Sequence, residues 1–271
     1  MVALAMPRAC ILPPAAYVFN SILRFIARHL HGFFAPLAAF VTVGIIVAAV
    51  AVGLFSLIAE GVEEGVTQGF DEAVLQWFER HRTPFLDETM LEITTLGGGV
   101  VLIMMVLIAA VFLWQTHHKW SVYLLLLGTL GAKLANSLLK QFFNRERPSV
   151  VEGIDAVRSL SFPSGHAMSA MAVYGCVAYL VGRLEPKPAL KHLTWAVAAI
   201  VILLIGISRM YLGVHYPSDV MAGYLGGLGW IAFIIGTLKA VQFLAARRRP
   251  ETHAEEQDLQ VDSEPSDAIQ H

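Results

Sequence analysis

Three short stretches of this chain hold residues suited to handling a phosphate group. "KQFFNRERP" (Lys140 to Pro148) carries Lys140 and Arg147 seven residues apart, so they point the same way if helix persists over both turns. An arginine fork grips phosphate oxygens bidentately, and a lysine adds a compact charge. "SFPSGHA" (Ser161 to Ala167) offers Ser164 as a helix cap and Gly165 as a point of close backbone approach, with His166 in the first turn. The free N–H groups of a helix start attract anions. "SRMYLGVHYPSD" (Ser208 to Asp219) adds Arg209, then His215 just ahead of Pro217, a residue suited to the first position of a helix. Asp219 follows four residues after His215. The helix dipole favours a carboxylate there, and it can accept a hydrogen bond from one imidazole nitrogen. The other nitrogen is then unprotonated and nucleophilic.

The elements that must carry these pieces are membrane helices. Of 271 residues, 56% are hydrophobic and 15% charged, and mean hydropathy is +0.62. Soluble domains carry nearer a quarter charged residues. Apolar stretches at 36–59, 93–115, 120–142, 166–184, 193–213 and 218–244 each approach the roughly 20 residues that a span requires. The expected fold is therefore all-α: a polytopic membrane protein whose six transmembrane helices form a bundle over residues 36–246. Residues 1–35 are expected to be a cytoplasmic or interfacial segment, with Ile22, Ile26 and Leu30 set against Arg24 and Arg28 on an amphipathic helix. Pro7, Pro13 and Pro14 argue against a cleavable leader there. The polar residues 247–271 are expected to be a disordered cytoplasmic tail.

Between the first two spans, "FDEAVLQWFERHR" sets Phe70, Val74, Trp77 and Phe78 on one face. This predicts an interfacial helix beside the opening that the arginines serve. Gly223/Gly227 and Gly128/Ala132 have the small-xxx-small spacing that lets helix backbones approach. Cys10 and Cys176 are too few and too far apart for a disulfide framework or a metal site, and Cys176 is expected to pack between helices. A net charge of -2 gives no footprint for nucleic acid.

Sidedness follows from Lys and Arg in short loops. Arg8, Arg24 and Arg28, then Lys119, then Arg183, Lys187 and Lys191, then "RRRP" all fall on one side, which the rule makes cytoplasmic. By the same crossing count the three phosphate-suited pieces share the other, extracytoplasmic face of a plasma (inner) membrane. The arginines of the 143–165 loop break the rule on that face, as they would if they answer to phosphate instead of topology.

Together, "K-x6-RP" at Lys140–Pro148, "PSGH" at Pro163–His166 and "SR-x5-H-x3-D" at Ser208–Asp219 resemble the three-part signature of the type 2 phosphatidic acid phosphatase superfamily. Every signature position is filled, and the likeness covers roughly residues 36 to 244. "TPFLDETMLEITTLGG" is also similar to the bacterial membrane branch.

The resemblance implies a membrane phosphatase that needs no metal or other cofactor. It implies attack on phosphorus by His215, with Asp219 fixing the tautomer and His166 serving as acid and then base. Lys140, Arg147, Arg209, Ser164 and the Gly165 N–H would hold the phosphate oxygens. Its partners would be the bilayer and a lipid phosphate: a polyprenyl diphosphate, phosphatidylglycerophosphate or phosphatidate. The same residues would serve a phosphotransferase that passes the phosphoryl group to an acceptor other than water. Six spans argue against a soluble haloperoxidase of the same motif pattern. One ionisable residue stands apart: Lys133, inside the third span and seven residues before Lys140. It is a candidate for contact with an anionic part of the substrate, or for pairing with a neighbouring helix.

Overall fold

The protein is described here by a computed structural model covering the backbone of residues 42–149 and 159–261 and side chains as far as residue 241. Among the described residues there are eight helices and no strand. They are α1 (Thr42–Glu63), α2 (Gln68–Arg80), α3 (Pro84–Thr95), α4 (Gly99–Gln115), α5 (Lys119–Phe143), α6 (Gly165–Leu184), α7 (Pro188–Tyr211) and α8 (Pro217–Val261). Five of them are long and apolar enough to cross a bilayer: α1, α5, α6, α7 and the Pro217–Val241 part of α8. A sixth crossing is reached only if α3 and α4, which are bent by 41° at the break between them, are taken together as one span. The sequence stretch 93–115 predicted a single uninterrupted helix there. The run Gly97–Gly99 breaks it, because glycine disfavours helix and Gly98 stands as an extended N-cap to α4. The expected lead-in at 1–35 lies outside the described residues.

Helix starts follow local chemistry. Pro84, Pro188 and Pro217 each open a helix, where the missing N–H costs nothing. Thr83 caps α3 by accepting from the Leu86 N–H at 3.3 Å. At the far end, α8 continues to Val261. Arginine, glutamate and glutamine make up eight of the fifteen residues 247–261, and all are good helix formers.

Apolar side chains cover the outside as well as the inside. Ile108, Leu130 and Leu134 are more than half exposed, at 72%, 66% and 63%, as a lipid-facing surface requires. Helix association in lipid then rests on close packing rather than on hydrophobic transfer. One close seam, where backbone meets backbone, joins α6 and α8. A Cβ at Gly223 would stand 2.7 Å from the Ser164 carbonyl oxygen, and one at Gly227 would stand 2.8 Å from that of Met168. Cys176 is fully buried in the core with Leu125, Ala132, Met168 and Val173. The glycine seam brings the start of α6 against the start of α8, where two of the three chemical stretches lie.

Candidate active site

The three stretches meet at one end of the bundle, held by backbone bonds. The Ser164 N–H donates to the Asp219 carbonyl at 2.9 Å, joining the start of α6 to α8. The Ser161 N–H donates to the Arg145 carbonyl at 2.8 Å, joining the first stretch to the second. Gly213, at φ 71°, takes the left-handed conformation that turns the chain from α7 towards His215.

His215 is 1% exposed. Its Nδ1 faces the Asp219 Oδ2 and the Ser161 hydroxyl, each at 3.4 Å. Its Nε2 has the Arg147 guanidinium beside it, also at 3.4 Å. An N–H on Nδ1 directed at the carboxylate leaves the Nε2 lone pair facing the cationic side. Burial pushes the His215 imidazole down from 6.5 to about 4, against the upward pull of Asp219, and Arg147 and Arg209 add to the fall. The ring is therefore neutral at pH 7, as a nucleophile must be.

Asp219 is fully buried and heavily tied. Its Oδ2 accepts from the Tyr216 N–H at 2.9 Å and from the Ser161 hydroxyl, while Oδ1 accepts from Arg145 at 2.8 Å. The bond to Tyr216 is one half of a capping box at the start of α8, so the same carboxylate fixes a helix end and an imidazole.

The cations arrive by different routes. The sequence allowed Lys140 and Arg147 to share one helical face. Instead α5 ends at Phe143, with Asn144 in the left-handed conformation at φ 47° and its N–H bonded to the Lys140 carbonyl. Pro148 also biases Arg147 away from helix. Arg147 reaches the site from extended chain, donating to the Ser159 carbonyl at 2.6 Å, to the Ser159 hydroxyl at 2.9 Å and to the Val214 carbonyl. Lys140 donates from the last turn of α5 to the Leu160 carbonyl. Arg209 is 1% exposed and donates to the Thr94 hydroxyl of α3 at 2.9 Å.

Ser164 occupies the N-cap position of α6, but its side chain makes no capping bond. The expected cap is replaced by a buried hydroxyl that has no partner among the described residues. Gly165 packs so closely on Asn136 that a Cβ would lie 3.0 Å from its Oδ1. His166 is within electrostatic reach of His215, Arg209, Arg147 and Lys140. The bend between α3 and α4 packs on it, since a Cβ at Gly97 would lie 3.1 Å from the His166 Cδ2. His166, Gly165 and Lys133 line one cavity of about 460 Å³ between α4, α5 and α6.

Four contributors were not singled out in the sequence. Arg145 donates to Asp219 at 2.8 Å and to Asp71 at 2.9 Å, and stacks on the Tyr216 ring at 4.2 Å. Asp71, fully buried on α2, also accepts from the Ser218 N–H at 3.0 Å and the Ser218 hydroxyl at 2.5 Å. Ser161 joins Asp219 to His215. Asn136 donates to the Pro163 carbonyl at 3.2 Å, fixing the loop ahead of α6. The helix expected at 70–82 thus has a second role: Phe70 and Trp77 face outward, while its opposite face sends Asp71 to the back of the site.

Fold and pocket together define the class, a multi-pass helical membrane protein with a buried imidazole among cations. The chain belongs to the PAP2 superfamily, whose family model matches residues 121–243. It is 37% identical over 148 residues to phosphatidylglycerophosphatase B of Bacillus subtilis, covering 54% of this chain and 72% of that protein. It is 32% identical over 127 residues to a decaprenylphosphoryl-5-phosphoribose phosphatase of Mycobacterium tuberculosis, covering 45% of this chain and 62% of that one. A crystal structure of a transmembrane PAP2-type phosphatidylglycerolphosphate phosphatase from Bacillus subtilis superposes with a TM-score of 0.67 at 31% identity. That match covers 70% of this chain and 94% of the other.

Proposed function

We propose that the protein hydrolyses the phosphomonoester or diphosphate of a membrane lipid through a phosphohistidine on His215. The observation that carries this reading is the orientation of His215, with Nδ1 towards Asp219 and Nε2 beside Arg147. In the first step Nε2 bonds to phosphorus as the ester or anhydride bond breaks, and His166 gives a proton to the departing lipid oxygen. In the second, water attacks phosphorus, His166 takes its proton, and the P–N bond breaks to release phosphate. Lys140, Arg147 and Arg209 carry the charge that spreads over the equatorial oxygens, which is the largest contribution expected for phosphoryl transfer. The Ser164 hydroxyl, buried without a partner among the described residues, is suited to donate to one of those oxygens.

The site faces the extracytoplasmic side in this reading. Support comes from the opposite end of the bundle, where Lys119 opens α5 and Arg183, Lys187 and Lys191 flank the α6–α7 connection. Substrate tails would stay in the bilayer while the head group meets the cations. Two relatives, a phosphatidylglycerophosphatase and a decaprenylphosphoryl-5-phosphoribose phosphatase, agree with a lipid phosphate as substrate. The test is phosphate release by the purified protein in detergent from phosphatidylglycerophosphate, phosphatidate and a polyprenyl diphosphate, with and without chelator. Release that survives chelation and is lost in His215→Ala is expected. Release that requires added divalent metal, or that survives in His215→Ala, would overturn the proposal.

A further inference from the structure

The cavity between α4, α5 and α6 contains a charged group that the phosphate chemistry above does not use. The catalytic end of its lining is formed by Gly165 and His166, and the deeper walls by Leu102, Val106 and Val173. Along its α5 wall stand Ser137, Lys133 and Thr129, spaced four residues apart on one helix face. Among the described residues the Lys133 ammonium has no hydrogen-bond or ion-pair partner. The alternative of pairing with a neighbouring helix, open in the sequence, therefore has no counterpart among those residues. An ionisable side chain within a span normally faces a cavity and finds a partner there. Lys133 has the cavity and, among the described residues, lacks the partner.

Distance narrows the partner's chemistry. Lys133 and Lys140 are separated by two turns of α5, about 10 Å along the axis. Both lie on the same face, and a flexible four-carbon stem carries each ammonium. Lys133 is thus too deep to share the phosphate held by Lys140, but within reach of the group that phosphate leaves behind.

We infer that Lys133 is a specificity-determining residue. It binds a second anion carried by the lipid leaving group a few bonds beyond the scissile phosphate, as the phosphodiester of a glycerophospholipid head group would be. Selectivity then comes from a positive charge in a mainly apolar groove. A substrate with a neutral leaving group leaves that ammonium unpartnered, whereas one with a spaced anion satisfies it. The inference rests on the lipid phosphatase reading of the site.

The experiment compares kcat/KM for phosphatidylglycerophosphate, whose leaving group carries a phosphodiester, with that for phosphatidate, whose leaving group is neutral. Both lipids are presented in the same detergent to wild type, Lys133→Met and Lys133→Arg. The ratio of the two values is internal to each protein preparation, so losses of folding or yield cancel. Lys133→Met is expected to lower the ratio by about 10- to 100-fold, the loss of one hydrogen bond to a charged group, and Lys133→Arg to keep most of it. An unchanged ratio in Lys133→Met overturns the inference, whether both activities fall together or neither falls. Wild type that hydrolyses both lipids with that result leaves the phosphatase reading standing alone. Wild type that hydrolyses neither removes that reading and the inference with it.

Discussion

Arg145 offers a quantitative test of how the site is built. It bridges two fully buried carboxylates, at 2.9 Å to Asp71 and 2.8 Å to Asp219, and is itself 11% exposed. Methionine at this position would keep much of the volume and remove the charge, leaving both carboxylates buried without their cation. Breaking a buried pair by removing one partner costs about 3–5 kcal/mol. For a domain of this size that is a fall of about 6–20 °C in Tm. Arg145→Met should also lower kcat, because Asp219 loses the bond that fixes Oδ1 on the side away from His215. The second arm is Asp71→Asn combined with Arg145→Met, which removes one of the two stranded charges while the Ser218 contact persists. Coupled groups are not additive, so the double variant should melt above the single one. Its activity should stay low, since Asp219 is still without its cation. Thermal unfolding in detergent at a fixed scan rate, with phosphate release measured in parallel, reads all of these. An Arg145→Met protein that melts with the wild type, or a double variant that melts no higher than the single one, would refute this picture of the network.

Other outcomes follow from single contacts. His215 has a folded value near 4 against an unfolded value near 6.5, so between these the unfolded chain binds more protons than the folded one. Stability should rise with pH across that window and level off above it, and His215→Asn should flatten the slope measured by thermal unfolding between pH 4 and 6.5. Ser161→Ala removes the hydroxyl between Asp219 and His215 and should lower kcat about tenfold with little change in KM, read by steady-state kinetics, because it acts through the imidazole. Ser164→Ala removes a buried hydroxyl that has no partner among the described residues, so Tm should hold or rise while kcat/KM falls. Gly223→Ala would drive a methyl to 2.7 Å from the Ser164 carbonyl, and the α6–α8 seam should open at a cost of about 1–3 kcal/mol, seen as a lower Tm with reduced activity.

Much of this site is legible because its residues are concentrated in three short stretches with chemistry unlike their apolar surroundings. Lys140, Arg147, His166, Arg209, His215 and Asp219 all stand out against the flanking spans, and counting crossings is enough to bring the stretches to one face. The supporting residues are harder to read. Asp71 lies on a helix whose apolar face points outward, and nothing in "FDEAVLQWFERHR" marks that acid as buried. Its partner Arg145 stands two residues before Arg147; the K-x6-RP pattern singles out Arg147 and is silent on the carboxylates that Arg145 meets. Ser164 has the right type and position for a cap, yet its hydroxyl makes no capping bond, while its backbone N–H is tied to the Asp219 carbonyl. The break at Gly97–Gly99 was hidden by an apolar run, although three successive glycines could have revealed it. Helix α8 runs on past its last apolar turn because its polar continuation combines low hydropathy with high helix propensity.

The most direct measurement is to trap the covalent intermediate. Wild-type protein mixed briefly with a lipid carrying labelled phosphate and quenched in alkali should hold label that survives base and is released by acid, and peptide mapping should find it on the ring of residue 215. The His166→Ala variant, short of its base for the second step, should retain label longer than wild type if any forms. Label on another side chain, or full turnover in a protein whose residue 215 has no imidazole, would contradict the account.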